Sequence, residues 1–210
     1  MQIRPPKAPN LAVGPNQYEQ RYQNQLNNQL RIYFNELDNF SGYVLSSVGG
    51  TTIQYPYGAF QDTTTQTAVA NTATLMSFNT TDFSNAVSMV SGSKMTVQYP
   101  GIYNLQFSTQ FQNTDVQLHD VSIWLRKNGA DITGSTGLIS VPNSHGGTPG
   151  HIIAGWNYFV QLAANDYIQL WWSTDNAAVT IQYYAAQVGP VRPSTASTIA
   201  TLTFVSAIPA

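Results

Sequence analysis

The sequence has no cysteine and little charge: among 210 residues there are 8 basic and 10 acidic side chains. The first absence excludes disulfides, thiolate chemistry and cysteine-bound zinc. The second leaves a net charge of −2 and a pI near 5.8. Such a chain has no basic field to hold a phosphate backbone, so no nucleic-acid partner is expected. No apolar run of about 18 residues is present, which argues against membrane insertion. The polar, proline-rich start Met1–Asn10 lacks the basic and apolar regions of a signal peptide.

Uncharged polar residues take the place of charge. Charged side chains are 9% of the chain, against about 25% in an ordinary soluble domain. There are 22 Thr, 17 Ser, 17 Asn and 18 Gln, and aromatics reach 12% with 12 Tyr. Threonine and aromatic side chains suit pleated, half-buried sheets. Scarce charge also weakens the usual defence against association, which suits a surface that is covered in an assembly.

Three regions differ in pattern. Residues 1–17 carry Pro5, Pro6, Pro9, Gly14 and Pro15, which remove donors and forbid regular helix, so an extended arm is expected. Ile3, Pro5, Pro6, Pro9 and Leu11 are its candidate anchoring residues. Over 18–40, apolar residues recur at Tyr18, Tyr22, Leu26, Leu30, Tyr33, Leu37 and Phe40 with no Gly or Pro between them. From Leu26 the spacing alternates four and three, the seam of a coiled coil, while the entry runs in fours. Tyr22, Leu26, Leu30, Tyr33, Leu37 and Phe40 are therefore expected to trimerise, or else to lie as one amphipathic helix on the rest of the chain. A helix of about 23 residues so rich in Asn and Gln is marginal alone and needs a partner surface. Residues 41–52, with Gly42, Gly49 and Gly50, read as a flexible linker.

Beyond it the period changes to two. Tyr103, Leu105, Phe107, Thr109 and Phe111 share one face, as do Val121, Ile123 and Leu125, and Asn128-Gly129 supplies a turn. Further strands are expected at 53–60, 72–78, 86–90, 94–99, 131–139, 151–162, 167–173, 178–184 and 198–205. About eleven short strands without an internal helix predict an all-β sandwich or barrel. Parity places Trp172 inward with Ile168 and Leu170, and Trp171 outward with Tyr167. The expected core therefore includes Tyr103, Leu105, Phe107, Ile123 and Trp172, and Trp171 and Tyr167 form a candidate interface or ligand surface.

Chemistry is sparse in this region, which holds seven Asp, no Glu and three His. His119 and Asp120 point to opposite faces of a strand, and no Gly-x-Ser-x-Gly occurs, so no catalytic residue is assigned. His145 and His151 flank a glycine-rich loop and read as incidental, and no Asp-x-Asp-x-Asp-Gly loop is present. Neither metal nor cofactor is expected. Trp156, Trp171 and Trp172 with Tyr158 and Tyr167 suggest a second reading, a stacking platform for sugar rings.

Tyr99-Pro-Gly-Ile-Tyr-Asn-Leu-Gln-Phe107 resembles the central strand of the C1q/TNF-like jelly roll, as do Gly58-Ala-Phe60, the hairpin Val160–Leu170 and the closing strand Ile199–Val205. Val121–Gly129, Asp166–Ser173 and Arg192–Ile199 look like C1q-like proteins of tailed bacteriophages, and Arg31–Asp38 resembles their N-terminal segments. The resemblance implies a ten- or eleven-stranded jelly roll over 53–210, a compact homotrimer and no catalytic site. Two features depart from secreted relatives, the lack of a collagen-like Gly-x-y run and of a signal peptide. The stretch 174–197 is longer than the usual last connection and is expected to add a strand. The implied role is a non-enzymatic virion surface protein assembled in the host cytoplasm, held to other phage structural proteins by its arm. A tail fibre or appendage, with a host glycan or protein as receptor, is the first reading. A capsid decoration protein is the second, and a glycan-binding module is the rival of another class.

Overall fold

The computed structural model describes residues 6–11, 13–46 and 55–208. Ile3 and Pro5 of the arm, residues 47–52 of the linker, and 53–54 of the first expected strand lie outside the described residues. The chain divides into two compact units, Met1–Gln54 and Tyr55–Ala210.

In the first unit, Pro6, Pro9 and Leu11 belong to no regular element, as proline's missing donor and fixed φ dictate. Helix α1 spans Gln20–Leu45, so it starts two residues later and ends five residues later than 18–40. The linker expected from Ser41 thus begins inside the helix. Glycine at position 42 weakens a helix by about 1 kcal/mol relative to Ala, but Val44 extends the apolar stripe by another four-residue step. The helix ends where Ser46 takes an extended conformation (φ −75°, ψ 162°) and its N–H and Oγ both donate to the Tyr43 carbonyl.

The second unit is all β. Its strands are β1 (Tyr57–Asp62), β2 (Gln66–Thr67), β3 (Thr74–Leu75), β4 (Thr80–Asn85), β5 (Val87–Val90), β6 (Lys94–Val97), β7 (Gly101–Asn113) and β8 (His119–Lys127). They continue as β9 (Ala130–Asp131), β10 (Gly137–Val141), β11 (Gly150–Leu162), β12 (Tyr167–Thr174), β13 (Val179–Ile181), β14 (Gln187–Val188), β15 (Val191–Arg192) and β16 (Thr198–Ser206). Eleven of these are longer than two residues.

Two seven-stranded antiparallel sheets face each other. The first runs β11-β7-β16-β1-β4, with β13 and then β2 extending the β16 side of β7. The second runs β10-β8-β12-β6-β5, with β3 on β12 and β9 on β8. The chain passes repeatedly from one sheet to the other, giving a jelly-roll sandwich preceded by a helix. The sequence alternation translates directly into burial. Tyr103, Leu105, Phe107 and Phe111 of β7 meet Val121, Ile123 and Leu125 of β8 and Ile168, Leu170 and Trp172 of β12 in one core. Glycine is required at two of the connections. Asn128 and Gly129 both have positive φ, 50° and 84°, which makes the tight β8–β9 turn. At Gly101 any Cβ would collide with the Phe204 ring.

Strand β4 was not expected, because Thr80–Asn85 is polar apart from the exposed Phe83 and shows no alternation. The expected strand 131–139 is interrupted: only Ala130–Asp131 and Gly137–Val141 pair, separated by a turn containing Gly134 at φ 79°. The expected strands 72–78 and 178–184 shrink to β3 and β13.

Candidate functional site

The α1 stripe is the first candidate. Tyr22, Leu26, Leu30, Tyr33, Leu37, Phe40 and Val44 are half-buried while the residues between them are almost all exposed, and no residue of α1 is fully buried. A row of seven large side chains is thus gathered on one face and left partly in water.

The outer face of the first sheet is the second candidate. Strand β7 presents Asn104, Gln106, Ser108 and Gln110 outward, β11 presents Ile153 and Phe159, and β16 presents Ile199 and Thr203. Ile153 and Phe159 are 66% and 56% exposed. No outward residue of these three strands is Asp, Glu, Lys or Arg. On the outer side of the second sheet, by contrast, Arg126 and Asp131 form an ion pair.

The five aromatics expected to form one platform are dispersed, which corrects that reading. Trp172 is fully buried in the core. Trp156 and Tyr158 turn toward the core from edge strand β11, with Trp156 edge-on to Phe107 at 4.6 Å. Trp171 does point outward, beside Trp124 in register, but the Arg126 guanidinium lies 3.9 Å from its ring centroid. Asp131 fastens that stack by accepting from Trp124 Nε1 (2.8 Å) and Arg126 Nε (2.5 Å), and the Arg126 bond holds its carboxyl below the usual range. Tyr167 is half-buried with the Lys94 ammonium 4.8 Å from its ring centre. Both outward aromatics are therefore already covered by cations of the same chain.

His119 has carboxylate partners that its immediate neighbours do not disclose. Its Nε2 lies 3.0 Å from Asp115 Oδ2 and its Nδ1 3.1 Å from Asp175 Oδ1, while Asp120 instead accepts from Ser140 Oγ at 2.6 Å. The His119 bond lowers the Asp115 pKa. The carboxylates sit on opposite nitrogens of one ring, so they tie two loops to β8 and leave no common centre for an ion. Among the described residues no group of three His, Asp or Glu is placed to hold a metal. An Asp four residues before a His across a turn is a legible hint; Asp175 has no local signal.

The long connection 174–197 does more than add a strand. Strand β13 pairs with β7 as far as Phe111, and β16 pairs with the same edge from Thr109. Between them Gln110 bonds to both segments, accepting from Gln182 N–H (2.8 Å) and donating to the Ser197 carbonyl (2.9 Å). The intervening chain leaves the sheet as a loop closed by Tyr184 and Thr195, with the hairpin β14–β15 at its tip. Tyr184 reaches back over the outer face, where register places Gln112 opposite His151. Its hydroxyl bonds the Gln112 side chain and lies 3.3 Å from His151 Nδ1. Burial raises the Tyr184 pKa, against the opposing field of Arg192, so the phenol stays protonated at neutral pH. Tyr184, His151 and Arg192, with Gln110 and Gln182, line a cleft of about 570 Å³. His145, the other loop histidine, instead closes a tight backbone turn with Thr148.

Among the described residues no helix is long and apolar enough to cross a membrane. No family model and no curated protein matches the chain. Among solved structures the chain is similar to the globular domain of zebrafish complement 1qA protein, with 11% sequence identity and a TM-score of 0.45, covering 74% of this chain and 100% of that one.

Proposed function

We propose that the chain is a non-enzymatic display protein that assembles as a homotrimer on the surface of a phage particle. The observation that carries the proposal is the α1 stripe: seven side chains on one helix face, the six from Leu26 to Val44 at coiled-coil spacing, none fully buried within the chain. Three copies of such a stripe bury one another by rotation about a single axis, which closes the assembly. The outward residues of β7, β11 and β16 around Asn104, Phe159 and Thr203, none of them charged, support the same arrangement, since interface cores are depleted of charged side chains. The proline-rich arm, with Pro6, Pro9 and Leu11 outside any regular element, is then available to lie along another structural protein of the particle. Arm, helix and jelly roll in that order suit a projecting appendage.

Analytical ultracentrifugation of the full chain tests the association. The expected species has about three times the chain mass of 23.0 kDa, near 69 kDa. Replacing Leu30 and Leu37 together by Asp is expected to shift it to monomer. A wild-type chain that sediments as a monomer at micromolar concentration would overturn the proposal. Electron micrographs of particles labelled at the C-terminus then separate an appendage, with label on the tail, from a capsid decoration, with label on the head.

A further inference from the structure

The jelly roll contains four basic side chains, and two of them stand on carboxylates: Arg126 on Asp131 and Lys127 on Asp166. Lys94 lies over the Tyr167 ring. The fourth, Arg192, is half-buried in the wall of the Tyr184 cleft. Among the described residues no carboxylate pairs with it. Its Nε donates to Gln187 Oε1 at 2.8 Å, and Nη1 reaches the Pro193 carbonyl and Thr195 Oγ1 at 3.5 and 3.4 Å. Neutral acceptors thus hold the guanidinium in place without cancelling its charge. No Asp or Glu lines the cleft; its polar lining includes the amides of Gln110 and Gln182 and the hydroxyl of Thr195.

This combination selects a ligand class. A fixed guanidinium facing an acid-free cleft favours a carboxylate, which it can grip with two parallel hydrogen bonds. Gln110 Nε2 and Gln182 Nε2 each donate one N–H to a main-chain carbonyl, of Ala196 and Tyr183 at 2.9 and 2.8 Å, which leaves a second N–H apiece, with the Thr195 hydroxyl proton, for ligand hydroxyl groups. The Ile153 side chain supplies apolar surface for the less polar face of a pyranose, beside the Tyr184 ring, whose centre lies 5.6 Å from the Arg192 guanidinium. The volume of about 570 Å³ falls within the roughly 300–1,000 Å³ of small-molecule sites.

We propose that the Tyr184–Arg192 cleft binds an acidic saccharide, a uronic acid unit within a short glycan, through its carboxylate on Arg192. One chain builds the whole cleft. It lies at the Gln110–Ile153 end of the outer face, six residues along β7 from the Asn104–Phe159 end, or about 20 Å. The inference therefore does not rest on the trimer. A monomeric chain that binds would sink the trimer alone, and a trimer that fails to bind would sink this site alone.

Calorimetric titration of the full chain with cellobiouronic acid and with cellobiose, which differ in one carboxylate, tests the proposal. The acid is expected to bind about tenfold tighter or more. Arg192→Gln should abolish that preference while melting like the wild type, and Trp171→Ala should keep it. Hydrogen exchange on the wild-type chain gives a readout independent of any variant: the acid should protect residues 182–195 and 110–112. Equal affinity for the two sugars, an undiminished preference in the Arg192 variant, or no protection at millimolar acid would each overturn the site. Equally tight binding of an acetylated Glu-containing dipeptide would overturn the saccharide class.

Discussion

Truncating Phe107 to Ala removes a ring that is only 6% exposed and stands edge-on to Trp156, with centroids 4.6 Å apart and planes at 69°. Its strand is held on both edges, opposite Trp156 on β11 and Ala200 on β16, so the backbone has little room to close over the void. Losing a buried Phe costs about 3–5 kcal/mol, of which an aromatic pair accounts for about 0.5–1.5. A domain holds roughly 5–15 kcal/mol in total, so a large part of its stability goes. In a unit of this size each kcal/mol lowers Tm by about 2–4 °C, and the expected drop is about 6–20 °C. Gln106, one residue away, faces outward between Asn157 and Thr201, and its Ala variant is expected to lose less than about 1 kcal/mol. Circular dichroism melts at one fixed protein concentration measure both, because chain association makes Tm depend on concentration. A Gln106 variant that melts below the Phe107 variant would refute the assignment of inner and outer faces of β7.

His119→Ala is expected to reduce stability by about 1–3 kcal/mol, since it removes the buried ring that bridges Asp115 and Asp175, and to speed hydrogen exchange in residues 114–119 and 174–178; unchanged exchange there would contradict the role given to the ring. Acid should destabilise the jelly roll. The His119 bond lowers the Asp115 pKa and the Arg126 bond that of Asp131, while at Asp166 burial acts upward but is outweighed by bonds from Lys127 and Asn128. Carboxyls lowered in the folded state contribute stability that is present above their unfolded value of about 3.9 and lost as pH falls through the folded values. Urea midpoints that do not fall between pH 5 and pH 2 would rule this out. Deleting residues 1–17 is expected to leave association and melting intact but to abolish incorporation into particles; particles carrying wild-type amounts of the truncated chain would exclude an anchoring arm.

Local pattern carried a good deal of this architecture. The Tyr103–Phe111 alternation, the Val121–Ile123–Leu125 face and the opposite directions of Trp171 and Trp172 are consequences of a two-residue period, and the α1 stripe of a helical one. These periods are properties of consecutive residues, so they can be read without neighbours. The same reasoning misplaced the end of α1, where Val44 outweighed Gly42, and it missed β4, an edge strand whose Thr80–Asn85, polar but for an exposed Phe83, has no buried side to reveal it. Which side chains meet across distant strands and loops was not legible. Arg126 over Trp171, Asp175 on His119, and Tyr184 between Gln112 and His151 join residues up to 72 positions apart. A strand's own sequence decides which of its side chains face inward. Which other strand lies beside it, and in what register, is decided by the free energy of the whole sandwich, and only the assembled tertiary structure carries that information.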